Sequence, residues 1–323
     1  MNPKLSIIVP IYNVEKFLAK CLDSIIDNSW DNNAYEIIIV NDASPDGSIA
    51  IANDYALKNE NITVITQENK GLGGARNTGI ENAGGDYLFF LDSDDYLIKN
   101  QIQKVLGKGL KNNLDIIEFG AQRVDENYNY LDQIFKKNDT PVEDGSAYIA
   151  NYNFENSACN KLYRRQFLLD HKIKFFEKTY VEDAPFNAEA FAKSKRVQAV
   201  RDVPVIFYQN RNSITRQKRT GDKLRKFIKD SIKVTVKIHE ITNSNISDKA
   251  RSVLAKRVSV FTSGILLMIL RSNFSLAEKQ IYISDLKNSQ LYPVKNNAGI
   301  FIRDLFIYFT NNKFVLYFLL RLF

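Results

Sequence analysis

The chain has 323 residues, 45% of them hydrophobic and 25% charged, the balance of a globular protein with a sizeable core, which excludes a disordered or collagen-like chain. Two cysteines, Cys21 and Cys159, are too few for a disulfide framework and point to a reducing compartment; no basic-then-apolar leader opens the chain, and the longest uncharged apolar stretches fall short of the roughly 18 residues that cross a bilayer. The net charge of +7 is uneven: residues 1–215 hold 24 Lys and Arg against 30 Asp and Glu (net −6) and residues 216–323 hold 20 against 7 (net +13), so the basic part is expected to meet an anionic surface, membrane or nucleic acid.

LSIIVP (5–10) reads as a strand and runs into an amphipathic helix. EIIIV (36–40) is a second strand, and Ser44 or Asp46 is expected to cap the helix over 47–58. NITVIT (61–66) is a third strand, QENKGLGG (67–74) a flexible glycine loop, and ARNTGIENA (75–83) a helix. DYLFFL (86–91) is a fourth strand and LDIIEFG (114–120) a further one. Residues 121–160 are less regular; a helix starts near Asp183 and a strand pair lies around 196–209. Alternating strands and helices predict βαβ units, hence an α/β fold with a mostly parallel sheet. From about residue 216 the texture becomes helical, basic and aromatic-rich. It suits either a membrane interface or a helical bundle packed on the rest of the chain.

The fourth strand stops at three carboxylates, Asp92, Asp94 and Asp95. In open α/β sheets ligands sit beyond the strand carboxyl ends. Clustered acids at that rim attract a hard divalent cation, which pairs with substrate phosphates. The local pattern alone is equally that of a solvated Asp-rich turn.

Four segments, SIIVPIYN (6–13), VNDASPDGS (40–48), NKGLGGARNTGIENAGGDYLFFLDSDD (69–95) and VEDAPFNAEAF (181–191), resemble in order and spacing the family 2 inverting nucleotide-sugar glycosyltransferases of the bacterial surface-polysaccharide type, which have the GT-A fold. The resemblance covers about residues 4–215, implying a catalytic domain over 1–215 (a nucleotide-sugar half to about 95, an acceptor half to 215) and a basic helical region over 216–323. It implies sugar transfer from a UDP-sugar to a hydroxyl of a saccharide acceptor, such as a lipid-linked oligosaccharide at the inner membrane face, with Mn²⁺ or Mg²⁺ as cofactor. By this resemblance Pro10, Tyr12 and Asn13 line the base pocket and Asp42 accepts from the uracil or ribose. Its neighbour, commonly also Asp, is here Asn41. Arg76 contacts the nucleotide, Asp92 and Ser93 stand at the donor, and Asp94 ligates the metal. Asp183 is the general base, with Glu182 orienting it or binding acceptor. Lys161, in the NKLYRR segment, lies on the acceptor side, and Arg211 is a phosphate clamp on a closing segment with Tyr208 and Ser213.

Two other classes compete. A nucleotidyltransferase would carry an early glycine-rich signature with a lysine, which SIIVPIYN lacks. A nucleic-acid-binding module would group basic and aromatic residues on one groove, and no nucleic-acid partner is expected. The spacing GLGG without a following Gly-Lys-Ser/Thr excludes a Walker loop. His171 and His239 lack zinc-site spacing, and Trp30 reads as a packing residue.

Overall fold

A computed structural model describes residues 3–28, 34–134, 136–152, 154–209 and 219–322. Trp30, Arg211 and Ser213 therefore lie outside the described residues. The amino-terminal part runs β1 (Leu5–Ile11), α1 (Glu15–Ile26), β2 (Tyr35–Asn41), α2 (Ser48–Lys58), β3 (Ile62–Thr66), α3 (Gly71–Asn82), β4 (Tyr87–Phe90) and β5 (Tyr96–Leu97). There follow α4 (Ile102–Asn112), β6 (Ile116–Glu118), β7 (Ala121–Val124), β8 (Tyr130–Ile134), α5 (Gly145–Asn151), β9 (Lys161–Arg164), α6 (Arg165–Asp170), α7 (Asp183–Lys193), β10 (Val197–Ala199) and β11 (Val205–Tyr208). The chain ends in α8 (Gly221–Thr242), α9 (Asp248–Arg271), α10 (Leu276–Asn288), α11 (Phe301–Asn311) and α12 (Lys313–Leu322).

Seven strands form the main sheet in the order β10-β6-β9-β4-β1-β2-β3. Every pairing in it is parallel except those of β9, which runs antiparallel to both β4 and β6. β1, β2 and β4 are near-continuous apolar runs because both faces are covered. One core holds Ile7, Val9, Ile37 and Ile39 against α1; the other holds Ile8, Ile38, Leu88 and Phe90 on the opposite face. α1 presents Leu18, Cys21, Leu22 and Ile25 inward at helical spacing.

The strands expected at 196–209 exist but do not pair with each other. β10 joins β6 in the main sheet, whereas β11 lies between β5 and β7 in a second, four-stranded sheet. Residues 121–160 supply two strands of that sheet and α5, whose amino end is capped by Asp144. β7 and β8 pair as neighbours in the chain, whereas β7's other partner, β11, lies some eighty residues away, out of reach of local pattern.

Asp46 does support α2, accepting from Ser48 N, and it also accepts from Glu15 N at the start of α1. Glu15 returns a bond from Gly47 N, so the two helix starts share their caps. Ser44 takes no part; its hydroxyl is buried without a partner.

The carboxy-terminal helices are not a detached tail. Buried residues of α8 and α9, such as Ile228, Val234, Leu254 and Leu266, belong to the same apolar core as Ile8 and Phe90. α9 is by length and composition the one described helix able to cross a bilayer, with mean hydropathy 1.8 over 18 residues. It lies instead along α8 and α5 with ten residues buried.

Candidate active site

The carboxyl ends of β1, β2 and β4 open on one rim of the sheet. Past β1, Pro10 is buried while Tyr12 is 50% exposed. Asn13 takes φ +57°, turning the chain outward. Past β4 come Asp92, Ser93, Asp94 and Asp95.

Arg76 organises the rim. It is 1% exposed, rising from the first turns of α3. Nη1 donates to Asp183 Oδ1 at 2.6 Å and Glu182 Oε1 at 2.9 Å; Nη2 donates to Asp92 Oδ1 at 2.8 Å and Cys159 Sγ at 3.5 Å. One guanidinium thus ties the acids after β4 to those opening α7. Both terminal nitrogens are engaged by protein side chains, while Nε is buried without a partner. Five acids gathered at a partly buried rim need a counter-charge within the protein.

Asp183 is the first residue of α7. Its second oxygen, Oδ2, accepts from Ala158 N at 3.0 Å. Burial raises its pKa, opposed by Arg76. Glu182 is pushed up to about 7 by burial and by Asp183. Glu182 is buried against Arg76. Asp94 is pushed up to about 6 by burial and by Asp92. Burial likewise lifts Asp95, whose Oδ1 accepts from Tyr208 N at 2.8 Å and ties β4's end to β11.

One expectation is corrected here. Gly71, Gly73 and Gly74 are not a flexible loop but the first turn of α3, which begins four residues early. They are small because residues 175–178 lie against them: a Cβ on Gly73 would sit 2.2 Å from Phe176 O, and one on Gly71 3.0 Å from Lys178 Cα. Asn77 fastens the same segment, exchanging two hydrogen bonds of 2.9 Å with the backbone of Phe175. The segment reaches Asp183 through Lys178 and Val181 in left-handed conformations, φ +50° and +62°, a strained path for a β-branched residue. Gly73→Ala should therefore displace the strap, costing about 1–3 kcal/mol by overpacking. Thermal melts alongside turnover check this; an unchanged Tm and rate would contradict it.

Asp42 lies at the rim, but its carboxylate accepts from Lys70 N (2.7 Å), Gly71 N (2.8 Å) and Gln67 Nε2 (2.7 Å). It anchors the amino end of α3, where a negative charge also meets the helix dipole. Lys161 is fully buried, donating to Glu155 O, Ser157 O and Asn160 Oδ1. It stands 3.2 Å from Glu118, its cross-strand partner on β6, so it supports the sheet. Cys159, buried beside Arg76, was not singled out from the sequence; nothing in its neighbours signals the contact.

Among the described residues no cluster of three or more His, Cys, Asp or Glu side chains could hold a metal unaided. Mg²⁺-type sites need only one or two carboxylates when substrate phosphates and water complete the shell. Asp94 fits that requirement: it is part-exposed, and burial followed by repulsion from Asp92 raises its pKa, the second of which a cation would relieve.

The model of glycosyl transferase family 2 matches residues 6–171, which include the whole rim except Glu182 and Asp183. The chain belongs to this family. The family member EpsJ of Bacillus subtilis, described as an uncharacterized glycosyltransferase, is 36% identical over 221 residues, 67% of this chain and 64% of EpsJ. The poly(ribitol-phosphate) β-glucosyltransferase of Bacillus spizizenii is 31% identical over 65% of this chain and 33% of its own length. The chain thus spans under two thirds of these relatives. Residues 1–349 of S. aureus TarS in complex with UDP-GlcNAc superpose with a TM-score of 0.74 at 22% identity, covering 98% of this chain and 89% of that one. The fold is accordingly GT-A with a helical carboxy-terminal region, and the family's reaction class is sugar transfer from a nucleotide-sugar.

Proposed function

We propose that this chain transfers a hexosyl or N-acetylhexosaminyl group, with inversion, from a UDP-sugar to a saccharide hydroxyl. The acceptor is a lipid-linked saccharide in cell-envelope polymer synthesis, met at the inner membrane face, where the basic region 216–323 would lie. The observation that carries this is the shared guanidinium: Arg76 joins Asp92, two residues before the proposed metal ligand Asp94, to Asp183, so the groups assigned to donor and to acceptor chemistry lie on one rim. The UDP-GlcNAc bound by TarS supports the donor class, and the polyol-phosphate polymer named for the Bacillus spizizenii relative supports the acceptor class.

Tyr12, Asn13 and Pro10 border the base, and Asp92 and Ser93 the ribose. Asp94 would hold a divalent cation, which when bound would offset the charge that develops on the leaving diphosphate. Asp183 takes the acceptor hydroxyl proton as that oxygen bonds to the anomeric carbon; the bond to the diphosphate oxygen breaks with its electron pair, releasing UDP. Arg76 and Ala158 N hold Asp183 ionised and aimed, against the burial that raises its pKa.

A donor screen by nucleotide release, with and without Mn²⁺, tests the reading. Release confined to UDP-sugars and dependent on metal is expected; metal-indifferent release, or none from any nucleotide-sugar, overturns it. Asp94→Asn should weaken UDP-sugar binding at least about tenfold, roughly 1.4 kcal/mol, in calorimetry with Mn²⁺. It should match the wild type in EDTA. Equal affinities in the presence of Mn²⁺ would remove Asp94 from the metal site.

A further inference from the structure

The outward faces of α11 and α12 invert the usual pattern of a surface helix. Solvent-facing stripes are normally polar. Here Phe301, Ile302, Tyr308, Phe314, Phe318 and Leu322 are each more than 60% exposed, and Phe314 reaches 87%. Their spacing, 301-302-308 on one helix and 314-318-322 on the next, places each set on one stripe. The opposite stripes, with Ile307, Thr310, Leu316 and Leu320, are buried in the body of the protein.

The hairpin is firmly held. Tyr292 OH donates to Thr310 O at 2.6 Å, and Asn311 exchanges two bonds of 2.9 Å with the backbone of Val294. Arg303 Nη1 donates to Val260 O on α9 at 2.9 Å. An anchored element that keeps its aromatic side open is built to present that side.

Charge selects the occupant. Lys313 and Arg321 are exposed on the same stretch as Phe314 and Phe318, in a region of net charge +13. A second copy of this chain, meeting across a two-fold axis, would bring like cations together. An anionic lipid surface takes both features at once: ring side chains enter the headgroup–acyl boundary and cations meet the phosphates. We propose that α11–α12 is the membrane-docking element, lying in the plane of an anionic bilayer with these stripes inserted. This deepens the peripheral placement proposed above and rests on it.

The test is co-sedimentation of the full chain with vesicles of phosphatidylcholine alone and of phosphatidylcholine with phosphatidylglycerol, across a salt series. Binding to the anionic vesicles, weakened by salt, is expected. The double variant Phe314→Ser/Phe318→Ser should lose about tenfold or more of that binding, since each ring withdrawn from lipid returns apolar surface to water. Leu57→Ser, at a leucine 88% exposed on α2, should change nothing. Metal-dependent UDP release measured without vesicles should be equal in all three proteins, which also shows that the double variant folds. Wild type that stays in the supernatant while releasing UDP overturns the docking element and leaves the enzyme reading intact. Bound wild type without UDP release does the reverse. Concentration-dependent self-association in light scattering, abolished by the same double variant and unaccompanied by vesicle binding, overturns the proposal in favour of a second copy.

Discussion

Asp183→Asn should cut turnover by about 10²–10⁴-fold, the range general-base assistance supplies, while UDP-sugar affinity stays within about twofold. The amide is isosteric, but its single oxygen can accept from Arg76 or from Ala158 N and not from both, so one of these contacts goes with the proton-accepting pair and the other holds the side chain in place. Wild-type turnover should fall with acid as Asp183 takes up a proton, and that fall should lie above the ordinary aspartate range because burial raises its pKa. Single-turnover transfer to a saccharide acceptor, paired with calorimetric donor binding, separates the two effects. A variant that keeps wild-type turnover removes Asp183 from the role of base; one that loses donor binding shows that its function is structural.

Arg76→Met should be the most destabilising single change at the site. It removes the cation shared by Asp92, Glu182 and Asp183 and leaves charges buried without compensation. Breaking a buried pair in this way costs about 3–5 kcal/mol. The loss should depend on pH, and the sign follows from the carboxyls. Glu182 has a folded pKa raised to about 7 from its ordinary 4.5, so its stabilising contribution is complete below about 4.5 and is lost as pH rises through 7. Without Arg76 these acids titrate higher still, so the variant should lose stability faster than the wild type as pH climbs from about 5 to about 8. Melting curves across that range measure it. Parallel curves for the two proteins would show that Arg76 does not compensate these acids. Arg76→Lys should recover part of the stability and little of the turnover, because one ammonium cannot fork between Asp92 and Asp183.

Much of the site was visible in the chain because its parts are local. A strand that ends in Asp92-Ser93-Asp94 announces a rim carboxylate cluster, and four ordered segments identify the family without a fold. What stayed hidden are the surroundings set by distant chain. Nothing local to Arg76 shows that α7 and β4 close around it. Nothing local to Lys161 shows that β6 places Glu118 opposite it. GLGG looks like a flexible loop, yet its missing side chains admit residues 175–178, a hundred positions later. Asp42 keeps its place at the rim but spends its oxygens on the start of α3.

The sequence by itself determined the parallel α/β architecture, the acids at the sheet edge and the basic, aromatic end, because hydrophobic period, strand-terminal residues and charge are properties of neighbouring positions. Only the tertiary structure decided which acids share a cation, which lysine is buried, and that the aromatic stripes of α11 and α12 point outward. Those outcomes depend on burial and counter-charge supplied by segments up to about a hundred residues apart, and no local pattern encodes which of them will meet.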